Sequence, residues 1–137
     1  MKKYSILILS IILFASCGSE KKDIEEANEH LKLARKYNAE SQWDKSIASA
    51  EDCLEVDQDN AEAYFILGNA YFNKDKWEKS LEYYNKSIEK DSTYADAYFN
   101  RGNVKFYLND KNGACEDYLK AKDLGKDNVS DKLKGCY

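Results

Sequence analysis

Apolar positions recur through residues 27–128 with the period of a helix and, above that, with a period of 34 residues. Between Ala61 and Asn73, the residues Tyr64, Leu67, Gly68 and Tyr71 stand at i, i+3, i+4 and i+7, one face of an amphipathic helix. Trp77, Leu81, Tyr84 and Ile88 continue that spacing on a second helix to about Lys90, and polar Lys74-Asp75-Lys76 predicts the turn between them. A shift of 34 aligns Ala27, Ala61 and Ala95, then Ala34, Gly68 and Gly102, then Ser46, Ser80 and Ala114, then Cys53, Ser87 and Ala121. The second and third copies agree at ten of 34 positions and the first and second at eight, so the repeat is genuine. Glycine inside a helix costs about 1 kcal/mol against alanine, so Gly68 predicts a point where a partner helix presses close.

This arrangement resembles the tetratricopeptide repeat family, which opens its 34-residue unit on an aromatic-x2-Leu-Gly-x2-Tyr series. The second unit carries it as Tyr64, Leu67, Gly68 and Tyr71, with Ser80, Tyr84 and Ser87 in the small-aromatic-small series of the second helix. The third unit keeps Tyr98, Gly102, Ala114, Tyr118 and Ala121, but has Arg101 and Lys105 where leucine and tyrosine are expected. The first keeps Leu33, Ala34, Tyr37, Trp43 and Ile47. Gln58, Ser92 and Lys126 replace the family's closing proline, while Asp57, Asp91 and Gly125 still supply helix-stop chemistry. The resemblance implies an all-α, right-handed solenoid of three helix-turn-helix repeats at 27–60, 61–94 and 95–128, within a unit spanning 24–128. Val129, Leu133, Cys136 and Tyr137 fall on one face of a short capping helix expected over 129–137, with Asp127 or Asn128 as its cap.

The front of the chain has a different pattern. Lys2 and Lys3 precede an apolar run from Ile6 to Ala15 broken only by Ser10. That run falls short of the roughly 20 apolar residues a membrane-spanning helix needs, and reads as a secretory signal peptide. Ala15-Ser16-Cys17 resembles the bacterial lipobox, although Phe14 stands where leucine is usual. The resemblance implies a leader over 1–16, lipid attachment at Cys17, a tether over 17–23, and a lipid-anchored protein of the bacterial cell envelope, on either membrane.

Composition narrows the function. Lysine and arginine total 21 against 25 acidic residues, a net charge of −4, and loss of Lys2 and Lys3 with the leader makes it −6. No basic footprint for nucleic acid is present, and membrane contact is expected through the lipid alone. His30, the only histidine, occupies an aromatic packing position, no cysteine pair has metal-ligand spacing, and Gly68 and Gly102 do not form a phosphate loop. Glu25-Glu26, Glu51-Asp52 and Glu116-Asp117 read as solvated helix faces. No catalytic residue, cofactor, metal or small-molecule substrate is expected. Cys53 reads as a small packing residue. Cys115 and Cys136 are either bridged, stapling the terminal helix, or two reduced, half-buried thiols.

The first helices of such repeats line the concave side of the superhelix. Their second stripe is Leu31, Arg35, Asn38 and Ala39 in the first unit. It is Phe65, Asn69, Phe72 and Asn73 in the second, and Phe99, Asn103, Phe106 and Tyr107 in the third. Rings flanked by amides suit an extended peptide or a helix. Phe65 and Phe99 are the first choice for ligand contact, whereas Phe72 and Phe106 could instead fill the seam between neighbouring helices. The family's clamp for acidic chaperone C-termini is not supported, since Leu31, Arg35, Ile66, Asp96 and Asn100 stand at its positions and only Arg35 is basic. The expected role is non-catalytic binding of an unidentified protein or peptide. The alternative is a structural accessory of a larger envelope assembly, contacting through its ends or convex face.

Overall fold

Each turn between paired helices is closed by the same backbone device, placed at the 34-residue interval. Ser41, Asp75 and Asn109 adopt positive φ angles of 57°, 56° and 64°. The next backbone N–H returns to the carbonyl five residues back, Gln42 to Tyr37, Lys76 to Tyr71 and Asp110 to Lys105, at 2.8–2.9 Å. These are Schellman-type helix ends, with the left-handed residue reversing the chain within three positions.

The elements so punctuated were obtained from a computed structural model, which describes the backbone of residues 4–136 and the side chains of residues 20–136. They are α1 (Tyr4–Ala39), α2 (Trp43–Val56), α3 (Ala61–Asn73), α4 (Trp77–Lys90), α5 (Ala95–Tyr107), α6 (Lys111–Asp123), a 3-10 turn at Asp127–Val129 and α7 (Ser130–Leu133). The described residues are all-helical, and α3 and α4 have the bounds that apolar spacing predicts. The leader's side chains and that of Cys17 lie outside the described set. The stretch expected as a tether is part of α1, and its residues from Glu20 onward are exposed. Among the described residues, no helix is long and apolar enough to cross a membrane.

α1 packs on α2, α3 on α4 and α5 on α6, and each second helix then packs on the next first helix. The first helices also touch one another, α1 on α3 and α3 on α5. That crowding puts them on the inner side of the curve. Tight pairing explains the small residues: a Cβ on Gly68 would lie 2.6 Å from the Tyr84 ring, and one on Gly102 2.7 Å from the Tyr118 ring. The Ser46 hydroxyl donates to the Ala34 carbonyl at 3.1 Å and that of Ser80 to the Gly68 carbonyl at 2.7 Å, so these buried hydroxyls are satisfied.

Two expectations need correction. Asp117 is not part of a solvated face: it is 3% exposed. Its carboxylate accepts from Arg101 at 2.6 and 2.8 Å and lies 2.9 Å from the Lys105 ammonium. The two cations that replace the family's leucine and tyrosine therefore share one buried counter-ion. Nor does Asp127 or Asn128 cap the terminal helix. Both lie in the 3-10 turn, Asn128 departs from helical geometry, and α7 is a single turn without a side-chain cap. Val129 and Leu133 still bury against Ala114, Tyr118 and Ala121. Cys115 and Cys136 are joined by a disulfide, their Cα atoms 5.7 Å apart.

Candidate concave interaction face

Helical periodicity brings Asn69, Phe72 and Asn73 of α3 beside Asn100 and Asn103 of α5. With Tyr84 they line a pocket of about 210 Å³. The Tyr84 hydroxyl donates to Asn69 Oδ1 at 2.6 Å, and Asn100 Nδ2 donates to the same oxygen at 2.8 Å. One repeat later the Tyr118 hydroxyl donates to Asn103 Oδ1 at 3.0 Å. Each amide is thus held by its oxygen from the tyrosine beneath it. Burial and hydrogen bonding go together here: the Tyr84 hydroxyl is pushed well above the ordinary tyrosine range, chiefly by burial. Asn73 donates to the Asn69 carbonyl at 2.8 Å, which ties the exposed amide to the last turn of α3.

The aromatic candidates separate into two sets. Phe65 is half-buried, its ring 5.8 Å from that of Tyr84 and 4.9 Å from that of Tyr94. Phe99 is likewise half-buried, 5.7 Å from Tyr118. One residue off the packing stripe is only 100° around a helix, near enough for a long ring to lean onto the core. Phe72 meets Tyr107 edge-on at 5.4 Å, and Tyr107 also touches Trp77 at 5.3 Å. Phe106 and Tyr107 are 56% and 57% exposed, and form an aromatic lip at the turn side of the face. Phe65, Phe72 and Phe99 are thus all half-buried, and Phe106 is the open ring of the four.

Arg35 stands apart from the amide pocket. Its guanidinium is bidentate with Glu62 of α3, with one contact at 2.6 Å, and this pairing raises its already high pKa. Leu31 and Ile66 are buried, and Asp96 is paired with Lys126. None of these positions offers a free cation. Asn100 and Tyr84 belong to the pocket although the stripe did not include them. A 34-residue alignment with Ile66 hides Asn100, and Tyr84 reaches the pocket from the second helix by its hydroxyl alone.

Chemically the face offers amides, hydroxyls and rings. His30 Nδ1 lies 3.7 Å from an Asp52 carboxylate oxygen, and no group of three acidic, histidine or cysteine side chains among the described residues could hold a metal. Cys53 is fully buried, its thiol pushed up to about 11 by burial, with Asp57 and Glu62 adding to the shift, so it is a packing group rather than a nucleophile.

The comparisons agree with this fold. A family model described as TPR repeat matches residues 68–109, and one described as tetratricopeptide repeat matches residues 95–128. The first TPR of Spaghetti (RPAP3), solved with the HSP90 peptide SRMEEVD, superposes with a TM-score of 0.77 at 22% identity, over 81% of this chain and 90% of that one. The Arabidopsis OM64 TPR domain gives 0.77 at 17% identity, over 82% of this chain and 94% of that one. MamA is 30% identical with a TM-score of 0.69, and the match covers 77% of this chain but only 61% of MamA. No curated protein matches the chain. Residues 68–128 thus match tetratricopeptide-repeat models, and the described fold of the chain is the helical solenoid seen in solved tetratricopeptide-repeat domains.

Proposed function

We propose that this chain is a non-catalytic, lipid-anchored protein-interaction module of the bacterial envelope, which holds a segment of a partner protein against its concave face. The observation that supports the reading best is the amide-lined pocket between α3 and α5, with its amides oriented from below and an aromatic lip beside it. Amides bond the carbonyl and N–H groups of an extended backbone, and open rings bury its apolar side chains. A peptide is what the Spaghetti repeat holds, and the same concave architecture is available here. The anchor rests on the short apolar leader and on Cys17 after two small residues.

A photo-crosslinking residue placed at the exposed concave position 73 should trap a discrete partner in intact cells. The same residue at position 89, exposed on α4, should not. Equal capture from both positions would contradict a concave site. Separately, a fatty-acid analogue fed to cells should label the wild-type protein and not Cys17→Ala.

A further inference from the structure

Four cations on or beside the first helices are already paired within the protein. Arg35 is held bidentately by Glu62, and Lys126 is paired with Asp96 while its ammonium lies 5.0 Å from the centre of the Phe99 ring. Arg101 and Lys105 are both committed to buried Asp117. Among the described residues that line the pocket, every side chain is neutral. The oxygens of Asn69 and Asn103 are occupied by Tyr84, Asn100 and Tyr118, whereas their NH2 groups have no acceptor among the described residues. Orientation by the oxygen leaves each amide able to donate to a ligand. A carboxylate brought onto such a face would lose water without gaining a counter-ion, a loss that neutral N–H donors do not restore. A peptide carbonyl carries no such penalty and fits the same donors. Beside them Phe106 and Tyr107 expose rings suited to an apolar side chain.

We infer that the concave face selects an extended segment free of acidic side chains and bearing a large apolar residue, and that Glu62 and Asp96 act as specificity residues that exclude acidic partners by occupying Arg35 and Lys126. Asn69 and Asn103 bond the segment's backbone carbonyls, and the Phe106–Tyr107 lip takes its apolar side chain. This inference rests on the concave-face reading and adds the chemistry of the partner to it.

The test is selection of a displayed random heptapeptide library on the full chain, compared with three variants. The enriched peptides should lack Asp and Glu and carry an aromatic or branched aliphatic residue. Their affinity should fall about tenfold or more in Asn69→Ala with Asn103→Ala, and in Phe106→Ala, where an exposed ring is removed without touching the core. Glu62→Gln with Asp96→Asn should gain about tenfold for acidic heptapeptides by freeing the two cations. Acid-rich peptides enriched on the wild type, with the same dependence on the asparagines, would overturn the neutral preference and leave the concave site standing. Enriched peptides indifferent to the asparagine and Phe106 variants, or no enrichment at all, would overturn both. No gain in Glu62→Gln with Asp96→Asn would overturn the role given to those carboxylates.

Discussion

Gly68 and Tyr84 work as one packing unit, and so do Gly102 and Tyr118. The missing Cβ is what lets each ring lie flat on the neighbouring helix, and each ring in turn holds a concave asparagine by its hydroxyl. In the first repeat the same positions are Ala34 and Ala50, both fully buried, and Arg35 replaces the asparagine. A small residue thus meets a ring in the second and third repeats, whereas the first has alanine at both positions. Gly68→Leu should lower stability by about 1–3 kcal/mol or more through overpacking, as read in urea unfolding. Gly135→Ala, whose Cβ would meet nothing nearer than 3.8 Å, is the neutral control. Unchanged stability in Gly68→Leu would mean the ring is not where the structure puts it. The Asp117 cluster supplies a second residue-level test. Asp117→Asn leaves Arg101 and Lys105 without a counter-charge, and should cost about 2–3 kcal/mol. That is below the 3–5 kcal/mol of a fully buried pair, since both cations are 17–20% exposed and still reach water. A loss under about 0.5 kcal/mol would show that the cluster is effectively solvated.

Among the elements, α3 and α4 were legible because one face of each is buried and the other wet, so period and burial coincide. Asp117 was not, since a carboxylate beside Glu116 on α6 looks solvated until α5 is known to present two cations to it. The turn after α3 was legible in polar Lys74-Asp75-Lys76, but not which residue reverses the chain: Ser41, Asp75 and Asn109 are short polar residues that share a left-handed backbone. The order of the four phenylalanines could not be read either, because whether a ring leans inward or outward is decided by Tyr84, Tyr94 and Tyr118 from within the same repeat and by Tyr107 from the next one. The Cys115–Cys136 bridge depends on where the chain goes after α6. Gly125, at φ 93°, and the non-helical Asn128 turn the terminal segment back across that helix, which sequence separation alone does not show. The bridge closes a loop of 21 residues and contributes about 3 kcal/mol in the chain-entropy account. Reduction should lower the melting temperature and speed hydrogen exchange in residues 127–136 before α1–α4 are affected. Unchanged exchange there after full reduction would mean that Val129 and Leu133 hold the cap without the bridge.

Taken as a whole, the molecule is a short stack in which each repeat touches only its neighbours, so stability depends on the seams and on the capped end. Tyrosine burial runs along the stack: Tyr84, Tyr94 and Tyr118 all have hydroxyls pushed above the ordinary range, with burial the largest cause. A raised folded-state pKa means that the unfolded chain releases its proton first. The folded state therefore keeps its full stability below about pH 10 and loses it as pH rises through the folded value. For fully buried Tyr84 the loss approaches about 1.4 kcal/mol per pH unit above 10. Alkaline unfolding should coincide with a cooperative step in tyrosinate absorbance, above the gradual rise from exposed tyrosines, and Tyr84→Phe should shift its onset to higher pH and shrink the step. Unfolding without any such step would contradict the burial.

The proposed recognition site is on the concave side, at the amide pocket between the second and third repeats. Backbone and side-chain amide chemical shifts, followed by NMR while a captured partner segment is titrated in, test it most directly. Binding at this pocket should give the largest shifts at Asn69, Phe72, Asn73, Asn100, Asn103 and Phe106, including the side-chain NH2 signals of Asn69 and Asn103. Shifts concentrated instead on the outer faces of α2, α4 and α6, with those two NH2 signals unmoved, would contradict it.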